Sequence, residues 1–180
     1  MDRQIIVPQV VGRRGGNRIE AIGGESGYAD GANSFIANSL VVLTAGALVA
    51  VATDGVSACG FVPDASKDSA SIDPPYSMFG DKHWPFDLRG LLIAMSVSDD
   101  SENIGEANSA PQLSDITLGS SYGVLLGATG IHYVNQAETS NTLVKVVEKP
   151  EMFNGVEQDA DTYNPVVIVE VIDSKIQILG

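Results

Sequence analysis

The sequence predicts an all-β fold: a small β-barrel or β-tulip-like domain built from hairpins, with an extended glycine-rich arm at its N-terminus. Short apolar runs separated by turn residues recur from residue 35 to the end of the chain. By contrast, residues 12 to 34 contain seven glycines and almost no hydrophobic periodicity. We therefore divide the chain into an arm and linker at residues 1–34 and a single β-rich domain at residues 35–180.

The arm combines an apolar stretch with a group of arginines. Residues 5 to 11 have the composition of a strand, but Pro8 lacks a backbone donor and suits only an edge strand. We expect the arm to be mobile in the free protein and to order in a groove of a partner, with its arginines facing an acidic surface. The candidate partner-binding residues of the arm are Ile5, Ile6, Val7, Val10, Val11, Arg13, Arg14 and Arg18.

The first strands of the domain are predicted to form a meander. Residues 40–43 and 47–52 predict a hairpin whose three-residue loop, 44–46, carries glycine at the left-handed position. A second reversal at Asp54-Gly55 leads into an apolar run at residues 56–62. Three consecutive antiparallel strands are therefore expected.

A long excursion follows at residues 63–90, which is rich in proline and aromatic residues and has no sustained period. Its aromatic side chains are expected to pin it to another surface, so they are the candidate partner-binding residues of this loop: Tyr76, Phe79, Trp84 and Phe86.

The second half of the chain is rich in predicted strands. Residues 91–97 predict a buried strand, with a short helix as the alternative. Two runs, 131–134 and 142–148, flank a polar insert whose largest apolar side chain is alanine, and a further strand is predicted at 122–126. Strands at 165–172 and 175–178 are expected to form a tight closing hairpin around Asp173-Ser174.

Composition narrows the class of protein. A chain of 180 residues is expected to bury about 70% of its unfolded surface, so a core can form without metals or disulfides. Cys59 is the only cysteine, which excludes an intrachain disulfide, and no apolar run reaches the length of about 18 residues that a membrane span needs. The order of charge and apolar residues at the N-terminus is the reverse of a secretory signal, so we expect a soluble protein that is not exported.

Charge is placed unevenly along the chain. The net charge is -13, which disfavours nucleic acid and anionic membranes as partners. Residues 1–20 nevertheless carry four arginines against two acidic residues, a net charge of +2, so the remaining residues carry -15.

Three side chains could take part in covalent or acid–base chemistry. Ser121 lies in a G-x-S-x-G match, but a nucleophile elbow needs a helix after the serine, and the apolar residues that follow predict a strand. Cys59 lies in an apolar run and is interpreted as a small buried hydrophobic residue. His132 alternates with Ile131 and Tyr133 without a carboxylate to orient it, so we predict a surface or interface histidine.

Two clusters offer metal-ligand types without the spacing of a known metal loop. We interpret residues 81–87 as a packed aromatic loop with a capped histidine, and residues 99–103 as a solvated acidic turn. No metal, no cofactor and no enzymatic activity are therefore expected.

Three phrases of the sequence stand out as β-hairpin motifs: SLVVLTAGALVAVATDGVSACGFVPDAS, in which residues 60–65 fit a G-x-V/A-x-D-A pattern, SSYGVLLGATGIHYVNQAETSNTLVKVVE, and NPVVIVEVIDSKIQ. They resemble a known family, the capsid decoration (cementing) proteins of tailed bacteriophages. The resemblance covers residues 35–66 and 115–178. It implies a β-barrel or β-tulip domain that binds the outer face of an assembled capsid, often as a trimer, and strengthens it without catalysis.

The resemblance sets the functional expectation. It implies a virion protein made in the host cytoplasm and placed on the capsid exterior, with the phage major capsid protein as its partner and a homotrimer as its assembly. The alternative is a carbohydrate- or receptor-binding β-domain of a phage tail or host-recognition structure, in which the aromatic residues of the loop form a platform. An esterase that uses Ser121 is a third, disfavoured interpretation.

Overall fold

The computed structural model describes residues 6–24, 27–29, 35–66, 82–99 and 111–178. The protein is all-β: strands make up 44% of the structure, and none of the helices in the described ranges reaches seven residues. The predicted fold class is therefore confirmed.

The strands, numbered along the chain, are β1 (Gln9–Arg13), β2 (Tyr28–Ala29), β3 (Ser39–Thr44), β4 (Ala47–Ala50), β5 (Gly60–Val62), β6 (Lys82–His83), β7 (Leu91–Ser98), β8 (Ser121–Leu126), β9 (His132–Asn135), β10 (Val144–Glu148), β11 (Met152–Phe153), β12 (Val156–Glu157) and β13 (Val166–Val171). Short 3-10 turns span Arg14–Gly16, Leu113–Asp115 and Asp173–Lys175.

Five of these strands close into a small barrel in the order β7-β13-β10-β8-β9. Neighbouring strands are antiparallel except where β7 meets β9, a parallel pair that includes Val97 and Val134 and closes the barrel. Closure satisfies the backbone donors and acceptors that an open sheet would leave at its edges.

Valine dominates the barrel interior, as expected for strands that pack a pleated, two-sided surface. Fully buried aliphatic side chains from all five strands meet there, and each contributes roughly 1.5–3 kcal/mol by leaving water. They include Ile93, Met95, Val124, Val134, Val144, Val146, Val167 and Val169.

The small three-stranded sheet confirms one predicted turn and corrects another. β3 and β4 form the predicted hairpin, although its loop has two residues, Ala45 and Gly46, both with positive φ (50° and 86°). The strand order is β4-β3-β5, so the predicted meander is wrong. The chain crosses to the other edge of β3 because the turn at Asp54 is held by the barrel, where its N–H donates to Val124 O at 3.0 Å.

The predicted closing hairpin is also wrong. Asp173 and Ser174 form a 3-10 turn and not the positive-φ pair that a two-residue hairpin needs. The chain therefore leaves β13 and runs parallel to Ala58, with Gln177 N–H donating to Ala58 O at 2.7 Å. The Gln177 amide also bonds both backbone groups of Leu43, which ties the small sheet to the barrel.

The polar insert between β9 and β10 has a defined conformation. Glu138 Oε1 accepts the N–H groups of Ser140 and Asn141, each at 2.6 Å, and these bonds lower the pKa of that carboxyl. Both flanking strands exist as predicted, but they do not pair with each other, because β8 lies between them. This stretch holds the barrel together and contains no catalytic arrangement among the residues described.

The N-terminal segment corrects the expectation of an arm that orders only on a partner. β1 pairs with the beginning of β7, from Gln9↔Ala94 to Arg13↔Leu91. The physical reason is that β9 covers only the end of β7, so the backbone of Leu91 to Ala94 needs another partner. Pro8 precedes an edge strand, as predicted, since β1 is the outermost strand of its sheet.

The described end of the excursion packs between the N-terminal segment and the small sheet. β6 pairs with β2, and Phe86 exchanges backbone hydrogen bonds with Phe61 at 2.8 and 3.2 Å. Ile22 N–H donates to Pro85 O and Asp87 N–H to Glu20 O, both at 2.8 Å. These bonds position residues 18–22 beside residues 85–89.

Candidate functional site: an arginine-lined cleft

Four remote parts of the chain enclose a cleft of about 960 Å³: the end of β1 with the residues that follow it, Cys59 just before β5, the end of the excursion, and the end of β13 with the residues that follow it. Four of the five arginines in the chain line it, namely Arg13, Arg14, Arg18 and Arg89. Four carboxylates also line it, from Glu20, Asp87, Glu170 and Asp173, and the apolar part includes Ile22, Cys59 and Ile176. We call this feature the arginine cleft.

Asp87 organises the inner wall of the cleft. Its Oδ2 accepts from Arg13 Nη2 at 2.9 Å and forms an ion pair with Arg89 Nη2 at 2.8 Å. Its Oδ1 accepts from the backbone N–H and the Nε of Arg89, each at 3.1 Å. Burial by itself would raise the pKa of Asp87, but these bonds from Arg89 and Arg13 outweigh it and hold the pKa below its ordinary value.

Arg13 is a structural side chain that fastens the N-terminal segment to the body. Only 12% of its side chain is exposed. Besides Asp87, its guanidinium donates from Nε to Arg89 O and from Nη1 to Arg18 O, both at 2.9 Å. One partly buried guanidinium thus connects β1, the Arg18 backbone and the Asp87–Arg89 turn.

Arg14 lies at the rim and pairs with Glu170 of β13. Its side chain remains 65% exposed, and its backbone N–H donates to Gly90 O at 2.7 Å. Gly15 follows with a φ of 74°, a left-handed conformation that glycine adopts without strain. The turn at Arg14–Gly16 therefore directs the chain across the mouth of the cleft.

Arg18 and Arg89 are the guanidiniums with capacity for a further anion. Arg18 is exposed, and its guanidinium has no hydrogen-bond or ion-pair partner in the described ranges. Arg89 holds Asp87 through Nε and Nη2, yet its side chain is 72% exposed. Hydrogen bonding and attraction from Asp87 raise the pKa of Arg89, and Glu20 and Asp173 add to this effect.

Cys59 forms part of the apolar wall of the cleft. Burial raises the pKa of its thiol to about 11, so the thiolate that a nucleophile needs is scarce near neutral pH. This agrees with the interpretation of Cys59 as a small buried hydrophobic residue.

The structure brings together only part of the predicted arm site. Arg13, Arg14 and Arg18 line one cleft, but Arg13 and Arg14 pair with carboxylates of their own chain, so the expectation that they face a partner's acidic surface is corrected. Some of the apolar residues of the arm are buried in the protein, and others are exposed to solvent. Ile6 is buried, Val10 packs against the core, Val7 and Val11 are exposed, and Ile5 lies outside the described residues.

The predicted aromatic loop is only partly described. Trp84 is 43% exposed, with its Nε1 donating to Gly24 O at 2.9 Å, whereas Phe86 packs against the core. Tyr76 and Phe79 lie outside the described residues. His83, from the same predicted cluster, is buried, and its ring forms a T-shaped pair with the Phe35 ring at a centroid distance of 5.1 Å.

The candidates for covalent or acid–base chemistry occupy structural positions. Ser121 begins strand β8, so no helix follows it and the elbow geometry is not formed. His132 is completely buried, and its prediction as a surface or interface residue is wrong. Its Nε2 lies 2.8 Å from Val51 O, and burial lowers its pKa to about 4, so the ring is neutral near pH 7.

Within the ranges described, no group of three or more His, Cys, Asp or Glu side chains is arranged to hold a metal ion. Of the predicted acidic turn at 99–103, only Asp99 is described. None of the helices in the described ranges is long and apolar enough to cross a membrane.

Sequence reasoning missed Arg89, Asp87 and Glu170 as parts of this site. The short spacing of Asp87 and Arg89 was the available signal, because a carboxylate two residues before an arginine can bond both its backbone and its side chain. The contribution of Glu170, 156 residues from Arg14, left no local signal. Comparisons with protein-family models, curated proteins and solved structures found no match for this chain.

Proposed function

We propose that this chain is a non-catalytic structural protein of a phage virion that docks on the outer face of the assembled capsid and stabilises it. The observation that carries the proposal is the arginine cleft, in which Arg13 and Arg14 are paired within the chain while Arg18 and Arg89 keep exposed guanidiniums, on a chain whose net charge is -13. Two exposed guanidiniums at one place on an acidic body favour attachment to an acidic protein surface in one orientation.

The resemblance of the hairpin phrases to capsid decoration proteins supplies the partner. The phrases lie on the β3–β4 hairpin and on the barrel strands β8, β9, β10 and β13, the elements on which a rigid docking body would be built. The major capsid protein is the proposed partner, the capsid exterior is the proposed location, and a homotrimer is the proposed assembly. A closed barrel suits this role because it resists deformation without needing a ligand.

A carbohydrate-binding role has one observation in its favour, the exposed indole of Trp84. In the described part of the loop this ring has no second exposed aromatic to form a platform, because Phe86 packs against the core. Titration of the full chain with host-surface glycans, followed by Trp84 fluorescence, tests this role. A saturable change would favour glycan binding.

Co-sedimentation of the full chain with assembled capsids that lack an outer decoration layer tests the main proposal. We expect saturable binding that weakens as salt is raised, because dissolved ions screen the attraction between exposed charges. At 0.1 M ionic strength this attraction already falls off over a distance of about 10 Å. Capsids carrying the bound chain should also resist heat at temperatures that open bare capsids. Absence of the chain from the capsid pellet at micromolar concentration and low salt would overturn the proposal.

A further inference from the structure

We propose that the arginine cleft binds an extended acidic peptide segment, with a carboxylate of that segment held by Arg18 and Arg89. The inference deepens the proposed function and rests on it in one respect, since the segment would belong to the capsid partner. Binding of acidic peptide can be measured without capsids, so the two proposals fail separately.

The distribution of partners among the four arginines identifies the two that bind. The Arg13 guanidinium is mostly out of solvent and donates to Asp87 and to two backbone carbonyls. Arg14 forms an ion pair with Glu170. Arg89 shares Asp87 with Arg13, so one carboxylate serves two guanidiniums. Arg18 has no side-chain partner in the described ranges.

Both binding side chains stand on backbone that is already fixed. The carbonyl of Arg18 accepts from Arg13 Nη1 at 2.9 Å, and Glu20 and Ile22, just beyond it, are bonded to residues 87 and 85. Arg89 is oriented by three contacts to Asp87 at 2.8–3.1 Å. The backbone that carries both guanidiniums is therefore already ordered before a ligand binds. This reduces the conformational entropy lost on binding.

The remaining lining restricts the ligand to a peptide with few charges. Glu20 and Asp173 are carboxylates near Arg89, so a dense polyanion such as a nucleic-acid backbone would be repelled. Ile22, Cys59 and Ile176 offer an apolar surface for the aliphatic part of a chain. The volume, about 960 Å³, lies at the upper end of the range for ligand sites, roughly 300–1,000 Å³.

Titration calorimetry of the full chain with three probes tests the inference at low salt: an acetylated, amidated alanine peptide that carries two glutamates (the Glu peptide), the matching peptide with two glutamines (the Gln peptide) and inorganic phosphate. We expect binding of the Glu peptide, no binding of the Gln peptide and weaker binding of phosphate. Arg18→Gln should weaken binding of the Glu peptide about tenfold, the effect of losing a hydrogen bond to a charged group. Lys145→Gln, which removes an exposed positive charge from β10 instead, should leave binding unchanged.

The outcomes separate specific recognition from general charge attraction. Equal losses in Arg18→Gln and Lys145→Gln, phosphate binding as tight as that of the Glu peptide, or no binding of any probe at millimolar concentration would each overturn the inference. Because the Arg18 guanidinium has no partner in the described ranges, its variant should unfold at the wild-type urea midpoint. If the Glu peptide binds through Arg18 but the chain does not sediment with capsids, the binding role of the cleft stands and the capsid role fails.

Discussion

Asp87 and Arg13 lie 74 residues apart in sequence, yet the carboxylate and the guanidinium meet at 2.9 Å with only 7% and 12% of their side chains exposed. This pair joins the first strand of the protein to the end of the excursion. A buried ion pair is costly to break from one side, because the remaining charge loses its partner while it stays out of water.

Replacing Asp87 with asparagine should therefore destabilise the fold. The change removes the negative charge that Arg13 and Arg89 share, and we expect a loss of about 1.5–3 kcal/mol in the free energy of unfolding. Urea unfolding followed by circular dichroism measures it. The control is Asp64→Asn, at an exposed site, which should change stability by less than about 0.5 kcal/mol. Equal effects at the two sites would show that the Asp87 ion pairs add no stability.

Lowering the pH should reduce the stability of the fold because of His132. Its pKa is lowered from 6.5 to about 4 by burial, so between these pH values the unfolded chain binds a proton that the folded chain does not. Stability therefore falls as the pH is lowered through this window, by at most about 1.4 kcal/mol per pH unit. His132→Gln keeps a donor for Val51 O and removes the titration.

The decline between pH 6.5 and 5 should be shallower in His132→Gln than in the wild-type chain, as measured by urea midpoints at each pH. This window lies above the pH range in which carboxyl groups with a lowered pKa, such as Asp87, lose their contribution to stability. That loss begins as the unfolded chain binds protons near the ordinary aspartate pKa of 3.8. Parallel lines for the two proteins would mean that His132 is protonated in the folded state.

His132 also shows how much of the structure could be predicted from the local sequence pattern. The strands β7, β8, β9, β10 and β13 were all predicted from apolar runs and turn residues, because those signals are local. Alternation placed His132 and Tyr133 on opposite faces, yet both are buried: β9 lies in the barrel wall, and Val51 of the chain leaving β4 covers His132. A strand buried on both faces carries no signal of which face meets solvent.

The arginine cleft could be predicted only in part for a related reason. The three arginines at positions 13, 14 and 18 are close in sequence and were identified together. The carboxylate partners of Arg13 and Arg14 lie 74 and 156 positions away in sequence, and only the strand order brings them near. The N-terminal segment was misjudged because the glycine-rich residues 12–34 separate it from the domain in sequence, while the free edge of β7 that it covers is a property of the whole fold.

Gly60 tests the packing of the excursion against the small sheet. A Cβ at this position would lie 2.3 Å from Pro85 Cβ, which is closer than real carbon contacts allow. Gly60→Ala should push residues 85–86 away from β5 and destabilise the fold by about 1–3 kcal/mol. Gly12→Ala is the matched control, since a Cβ there meets nothing within 4 Å. An unchanged urea midpoint for Gly60→Ala would show that the excursion does not pack against β5.

The N-terminal segment should be part of the folded protein in the absence of any partner. Ile6 is buried against Ala94 and Val166, and its N–H donates to Ser96 Oγ at 3.0 Å. Ile6→Ala should cost about 2–4 kcal/mol, within the range for removing a buried aliphatic side chain. Val11→Ala, five residues along the same segment but 44% exposed, should cost less than about 1 kcal/mol.

Hydrogen exchange on the purified full chain examines the same point without substitution. The backbone amides of β7 that pair with β1 should be protected along with the rest of the barrel, because the ladder from Gln9 to Arg13 covers them. Deleting residues 1–13 should remove that protection, lower the urea midpoint and expose the edge of β7 to self-association. If the shortened chain instead keeps the wild-type midpoint and protection at residues 91–94, then β1 is a dispensable arm that the body does not need for its stability.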